Sequence, residues 1–134
     1  MTSFPLKIVT PDGLAYEGSA EEVVVRTTTG DIGILAGHIN CVAPLGMGRA
    51  TIIIDEKKRY GACIGGILSV VNGSVTLVPT TFEWSDQIDV ARAEASYQRA
   101  DKVLHDKGAS STDIKLAEAR LRRALVRKNV ASYK

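Results

Sequence analysis

Aromatic residues are scarce in this sequence, and the motifs that usually accompany catalysis are missing. Phe, Trp and Tyr make up only 5% of the 134 residues, so Val, Ile, Leu and Ala must fill the core. The sequence has no Gly-x-x-x-x-Gly-Lys-Ser/Thr phosphate loop, no Gly-x-Gly-x-x-Gly before a helix, no nucleophile elbow and no His-Glu-x-x-His zinc motif. It therefore offers no visible machinery for turnover, and we predict no catalytic residues.

Cysteine, histidine and long apolar runs are equally sparse. Cys41 and Cys63 lie far apart in apolar, strand-like surroundings, which favours buried free thiols over a disulfide or a metal pair. His38 and His105 complete no zinc site. No run approaches the roughly 18 apolar residues of a membrane span, and the first residues lack the features of a signal peptide. We therefore predict a chain that is cytosolic or faces the cytosol, without a bound metal or membrane insertion.

The first 84 residues alternate between apolar and polar side chains, with turn signals at short intervals. This pattern is typical of an antiparallel sandwich or flattened barrel. The strongest hairpin signal is Asn72-Gly73, which separates two apolar runs, 67–71 and 75–79. We predict about eight to ten strands in two facing layers, forming a β-sandwich domain over residues 1–84.

The pattern changes to helix at Trp84-Ser85-Asp86, and residues 85–134 predict an antiparallel two-helix hairpin, so the fold class is α+β. Ser85 or Asp86 is expected to cap a first helix that carries Asp89 in its first turn and ends at Gly108. Each helix should have about 20 residues and an alanine-rich apolar stripe. The expected stripes are Ile88, Ala91, Ala95 and Leu104 on the first helix, and Ile114, Ala117, Leu121, Ala124 and Leu125 on the second.

Arginines are expected to converge across this hairpin. If its turn is centred near residue 108, facing residues have numbers that sum to roughly 219, which sets Arg92 opposite Arg127. Arg99 then approaches Arg120 and Arg123. Guanidinium groups placed so close repel one another unless an anion lies among them, which indicates a phosphate site. The alternative is a solvated, salt-bridged helix face.

Positive charge is concentrated in the second helix. Residues 113–134 hold seven Lys and Arg against two acids, whereas residues 1–84 hold six against eight. Such a helix suits a phosphate ligand or an acidic protein partner. Nucleic acid is disfavoured because the net charge of the whole chain is only +2 and no aromatic stacking face accompanies the arginines.

Several short segments, in order along the chain, resemble the epsilon-subunit family of F-type ATP synthases. They are Val9-Thr-Pro-Asp-Gly13, the run from Gly30 to His38, Ala43-Pro-Leu45, Gly65-Gly66 and Ile88-Asp-x-x-Arg-Ala93. The family usually has proline at the positions of Ala36 and Asn40, so the loop here is expected to be more flexible.

The resemblance implies a non-catalytic rotor subunit of the central stalk, peripheral to the cytoplasmic face of the cell membrane. In this family the sandwich packs on the gamma subunit, and the loop from Asp31 to His38 faces the membrane c-ring. The hairpin is either compact on the sandwich or extended into the catalytic head, where it blocks ATP hydrolysis. The residues implied to meet an acidic segment of the beta subunit are Arg120, Arg122, Arg123, Arg127 and Lys128.

Some bacterial members also bind ATP on the compact hairpin. The resemblance implies that Glu83, Ile88, Asp89 and Ala93 hold the adenosine end, and that Arg92, Arg99, Arg123 and Arg127 hold the phosphates. ATP is then a regulatory ligand, no cofactor is required, and the effect of magnesium stays open. Two alternatives remain at this point: a free-standing ATP sensor that acts outside the synthase, and a small nucleic-acid-binding module that uses the basic helix.

Overall fold

The period-two alternation along the first part of the chain corresponds to ten strands. A computed structural model describes residues 2–133 of the chain. The elements over that range are β1 (Phe4–Thr10), β2 (Gly13–Ala20), β3 (Glu22–Thr27), β4 (Gly30–Ile34), β5 (Cys41–Pro44), β6 (Met47–Ile54), β7 (Lys57–Ile64), β8 (Ile67–Val71), β9 (Ser74–Val78), β10 (Thr81–Trp84), α1 (Val90–Leu104) and α2 (Ser111–Ala131). The predicted α+β order, a sandwich followed by a helical hairpin, is confirmed.

Two five-stranded sheets face each other. Their strand orders are β2-β1-β9-β8-β5 and β10-β7-β6-β3-β4. Leu6, Val25 and Leu68, from both sheets, lie in one buried cluster between the layers. The pairing is antiparallel with one exception, since β1 runs parallel to β9 with Leu6 opposite Val75. That parallel pair joins distant parts of the chain, so no local turn signal could have predicted it.

Two strands and one turn differ from the sequence prediction. The short strands β5 and β10 were not predicted, because four residues show too little alternation to stand out. The turn between β6 and β7 is tighter than the expected charged tip of residues 56–58. Asp55 and Glu56 both adopt positive φ angles, 51° and 65°, which is typical of a two-residue hairpin turn. Lys57 and Lys58 therefore belong to β7.

Gly66 is the glycine whose replacement should cost most. Its φ is +94°, and a Cβ there would lie 2.0 Å from the carbonyl oxygen of Val78. Gly73 also has a positive φ, +84°, but a Cβ there would meet nothing within 4 Å. We expect Gly66→Ala to lower the free energy of unfolding by more than about 3 kcal/mol, and the control Gly73→Ala by about 1 kcal/mol. Urea denaturation measures both values, and equal losses would contradict this account of the clash.

The first helix begins later than expected. Residues Ser85–Gln87 form a separate 3₁₀ turn, and the side chain of Asp89 caps α1 by accepting a hydrogen bond of 3.0 Å from the backbone nitrogen of Arg92. The prediction that Ser85 or Asp86 caps α1 was therefore wrong. Ile88, only 8% exposed, has an extended backbone that separates the two helical segments.

The helices pack through alanine, but α1 does so on a different face from the predicted one. Ala93 and Ala100 of α1, with Ala117 and Ala124 of α2, are buried, whereas Ala91 and Ala95 are exposed. Alanine occurs on several sides of α1, so hydrophobicity alone could not choose the packed face. The numbers of Ala93 and Ala124 sum to 217, as do those of Ala100 and Ala117, close to the expected 219.

The two helices also differ in length. α1 has 15 residues and α2 has 21, or about 22 Å and 31 Å at 1.5 Å per residue, so the expectation of about 20 residues holds for α2 alone. Within the described part of the chain, neither helix is both long and apolar enough to cross a bilayer.

Candidate functional site

A cleft of about 920 Å³ lies between the two helices and β10. Alanine at the helix contact leaves room for it, because Ala100, Ala117 and Ala124 line its apolar part. The charged residues that line it are Glu83 of β10, Arg92 and Arg99 of α1, Arg120, Arg123 and Arg127 of α2, and Asp12, Asp106 and Asp113. The structure therefore brings together the five arginines whose convergence the hairpin geometry predicts.

Helix periodicity explains why these arginines share the cleft. Arg120, Arg123 and Arg127 are spaced three and four residues apart, which keeps them on one face of α2. Arg92 and Arg99 are seven apart, two turns of α1. Each helix therefore presents a row of guanidinium groups to the same space.

One of the five arginines is already paired with a carboxylate. The Nε of Arg127 donates a hydrogen bond of 2.6 Å to Oε1 of Glu83, and the Nη2 of Arg127 donates one of 3.1 Å to Oε2 of the same carboxylate. Both side chains are partly buried, at 20% and 32% exposure. This fork-to-fork geometry is the arrangement that guanidinium adopts with carboxylate or phosphate. Sequence reasoning did not find this pair because its members lie far apart in the sequence, on β10 and on α2.

The other four arginines of the cleft have no such partner. Within residues 2–133, the ion pairs up to 4.0 Å include none from Arg92, Arg99, Arg120 or Arg123. Arg99 donates only to the Ser96 hydroxyl, at 3.2 Å. Four unpaired cations around one cleft are a favourable environment for a polyanion.

The acids at the far end of the cleft have structural partners. Asp106 accepts a hydrogen bond from the Gly108 nitrogen at 2.9 Å, and Asp113 forms a capping box with Ser110 at the start of α2. Over the described residues, no three His, Cys, Asp or Glu side chains come together as a metal site.

Three of the implied nucleotide residues lie outside the lining of the cleft. Asp89 caps α1, Ala93 is fully buried, and Ile88 packs with Ala62 and Val130. Their positions hold the start of α1 against α2 and the sandwich.

The basic residues of α2 divide into two groups. Arg120, Arg123 and Arg127 face the cleft, whereas Arg122 is exposed outside it. Lys128 forms an ion pair with Glu94 and lies 4.5 Å from the centre of the Tyr97 ring. Hydrogen bonds from Gln98 and then from Lys128 lower the pKa of Glu94, which favours its carboxylate form.

A C-terminal anchor, which we define as Val130 and Tyr133, attaches α2 to the sandwich. Val130 is fully buried against Ala62 and Ile88. The ring of Tyr133 lies 5.0 Å from that of Tyr60, and the guanidinium of Arg49 lies 4.1 Å from the centre of the Tyr133 ring. The anchor was not predicted, since only its burial distinguishes Val130 from the other apolar residues of α2.

The residues implied to face the c-ring lie on the sandwich. Asp31 on β4 pairs with Arg26 of β3 at 2.6 Å. The Nδ1 of His38 lies 2.8 Å from the carbonyl oxygen of Ile39. Asn40, whose presence led us to expect a looser loop, accepts a hydrogen bond of 2.8 Å from the Asn72 nitrogen. That bond ties the loop to the β8–β9 turn.

An exposed apolar strip continues from this loop. Ile39 and Val42 are 77% and 70% exposed, and Leu35 is 53% exposed. On the same sheet, β8 and β9 expose Ile67, Val71 and Val78. The strip was not predicted, although β8 has apolar residues on both faces, which is the sequence signal of a strand covered on two sides.

Comparison with known protein families shows the family to which the chain belongs. The sequence profile described as ATP synthase, Delta/Epsilon chain, beta-sandwich domain matches residues 3–85, and the profile of the long alpha-helix domain matches residues 86–132. The chain belongs to the delta/epsilon family of ATP synthase subunits. The resemblance stated from the sequence is thereby confirmed, and so is the prediction of a non-catalytic subunit.

Relatives of this family cover the whole chain. The ATP synthase epsilon chain of Ruminococcus albus is 42% identical over 100% of both chains. That of Caldanaerobacter subterraneus is 40% identical over 97% of this chain and 94% of its own. A structure of Euglena gracilis mitochondrial ATP synthase contains a chain with a TM-score of 0.79 and 20% identity, over 91% of this chain and 77% of that one. At that identity the structural likeness supports the fold alone.

Proposed function

We propose that the chain is a rotor subunit of the central stalk, at the cytoplasmic face of the cell membrane, whose hairpin restrains ATP hydrolysis and is held compact by bound ATP. The observation that carries this proposal is the cleft between the helices, with four arginines that have no acidic partner among residues 2–133. Because the chain belongs to a family of ATP synthase subunits, ATP is the polyanion that we propose for this cleft. A volume of about 920 Å³ lies within the range of ordinary ligand pockets.

ATP would bind only the compact hairpin. Arg92 and Arg99 belong to α1, and Arg123 and Arg127 belong to α2, so separating the helices or straightening the hairpin disperses the site. A ligand that binds one state alone stabilises it, by about 2.7 kcal/mol at a hundredfold excess over Kd. In this proposal Glu83 contacts the adenosine end, while Ile88, Asp89 and Ala93 support that end by fixing the start of α1.

The hairpin can leave the sandwich without disturbing the sandwich core. α1 packs on α2, and α2 in turn packs on β6 and β7. The attachment includes the C-terminal anchor and the Arg127–Glu83 pair, together with Val126 and Ala131, which pack against the same cluster. The alanine interface joins α1 to α2 and buries little area. Release would free Arg120, Arg122, Arg123, Arg127 and Lys128 for an acidic segment of the beta subunit.

The sandwich offers the surfaces that a stalk subunit needs. Exposed apolar strips of this kind mark interaction sites. We propose that Ile67, Val71 and Val78 contact the gamma subunit, and that the loop from Asp31 to His38 faces the c-ring.

Mixing the purified chain with a complex of alpha, beta and gamma subunits tests the assignment. We expect the chain to co-elute with gamma and to lower the rate of ATP hydrolysis. A free-standing ATP sensor would bind ATP but would not co-elute. In that case the rotor proposal is wrong.

The C-terminal anchor should control hairpin release. Val130→Asp places a charge in a fully buried site, which is strongly unfavourable. Without ATP, we expect limited proteolysis to cleave the helices of this variant at least about tenfold faster than those of the parent chain. Leu125→Asp, at a position 44% exposed on the same helix, is the control and should be cleaved at the parental rate. Equal rates for the two variants would show that the anchor does not hold the hairpin.

A further inference from the structure

Arg120 lies at the end of the arginine row that is farthest from Glu83. It is seven residues before Arg127, or about 10 Å along α2. Arg120 lines the cleft, is exposed, and has no ion-pair partner up to 4.0 Å among the residues that the structure describes. Its number and that of Arg99 sum to 219, so the two arginines lie at nearly the same level of the hairpin.

The two ends of the cleft differ in charge. At one end, Glu83 pairs with Arg127 through two hydrogen bonds, and its carboxylate disfavours the terminal phosphate, which carries the most negative charge, at that end. Arg99 and Arg120 both line the cleft, and among residues 2–133 neither forms an ion pair up to 4.0 Å. Beyond the level of these two arginines, Asp106 and Asp113 line the cleft and disfavour a longer anion.

This polarity orients a nucleotide. Its uncharged end, which has hydrogen-bond donors for a carboxylate, suits the neighbourhood of Glu83. Its phosphates then run along the arginine rows, and the last of them reaches the level of Arg99 and Arg120.

We propose that Arg120, with Arg99 across the cleft, binds the terminal phosphate and gives the cleft its preference for a nucleoside triphosphate over a diphosphate. The proposal rests on ATP binding as proposed above and adds a residue and a specificity to it. Arg120 has a planar fork of donors suited to phosphate oxygens. A diphosphate bound with the same orientation ends one phosphate short of this fork.

Calorimetric titration of full-length variants with ATP and with ADP tests this role. Arg120→Ala should weaken ATP binding by about tenfold and change ADP binding less than about twofold, because a charge-assisted contact is lost for the triphosphate alone. Arg122→Ala is the matched control. It removes the same charge from the same helix, at an exposed position outside the cleft, and should change neither affinity. Alanine has the higher helix propensity, so both variants should fold, as thermal unfolding will show.

The outcomes separate the two proposals. If the parent chain binds ATP and Arg120→Ala binds it equally well, Arg120 has no role in the cleft, whereas ATP binding stands. If Arg120→Ala weakens ATP and ADP by the same factor, Arg120 does not contact the terminal phosphate. If Arg122→Ala reproduces the ATP-specific loss, the effect comes from overall charge, and the assignment to Arg120 is wrong. A parent chain that binds neither nucleotide overturns the proposed function itself.

Discussion

The chain carrying both Asp89→Ala and Arg92→Ala should bind ATP about a hundredfold or more weakly than the parent chain. Asp89 caps α1 and accepts from the backbone nitrogen of Arg92, so its loss costs about 1 kcal/mol and frays the turn that positions Arg92. Removing the Arg92 side chain takes away a further charge-assisted contact, about 1.5 to 3 kcal/mol. Isothermal titration measures the loss, and the shift of the thermal unfolding midpoint with ATP should shrink in parallel.

A matched variant separates the two roles of Asp89. Asn is as good a helix cap as Asp, so Asp89→Asn keeps the start of α1 in place. If Asp89 acts by positioning α1, this variant should bind ATP within about threefold of the parent chain. ATP binding by the double variant as tight as that of the parent would leave the arginine cluster as a surface for protein partners alone.

Removing residues 86–134 should abolish the restraint on ATP hydrolysis and leave assembly with gamma intact. Every strand precedes Ser85, and Trp84, 4% exposed, still packs into the sandwich core. The shortened chain should therefore unfold cooperatively and co-elute with gamma, while hydrolysis by the reconstituted complex rises to the rate without the chain. Adding the full-length chain back is the control and should restore the restraint.

Two results with the shortened chain would contradict the assignment of gamma binding to the sandwich and of regulation to the hairpin. Full restraint of hydrolysis would show that the sandwich alone regulates the head. Loss of cooperative unfolding would show that the hairpin and the sandwich form one folding unit, and that residues 1–84 are not a domain by themselves.

Local signals in the sequence predicted most of the fold. The Asn72-Gly73 turn adopts φ angles of 48° and 84°, as a two-residue hairpin requires. The strands on either side of it, β8 and β9, lie within one residue of their predicted bounds. The change to helix after Trp84 was equally clear, because capping residues and alanine follow it directly.

The parts that sequence reasoning missed depend on contacts between distant residues. Glu83 of β10 contacts Arg127 of α2, and Tyr60 contacts Tyr133 only once α2 lies on β7. The prediction of the packed face of α1 was wrong for a related reason. Contact with α2 buries Ala93 and leaves Ala91 and Ala95 exposed. The helical repeat and the turn near residue 108 were enough to predict that the five arginines converge, because both are local features of the sequence.

Distances between spin labels give the most direct test of the claim that ATP holds the hairpin compact. Labels can be placed at Ser132→Cys near the end of α2 and at Ser74→Cys on the sandwich, in a chain with Cys41→Ser. Burial raises the pKa of the Cys63 thiol to about 12, so Cys63 stays protonated and unlabelled at neutral pH.

The measurement is made on the chain bound to gamma, with saturating ATP and without nucleotide. With ATP, we expect a single narrow distribution at the short distance of the compact hairpin. Without ATP, we expect a second, longer population that disappears when ATP is restored. The same distribution under both conditions would show that the hairpin does not respond to the nucleotide, and the proposal that ATP holds it compact would be wrong.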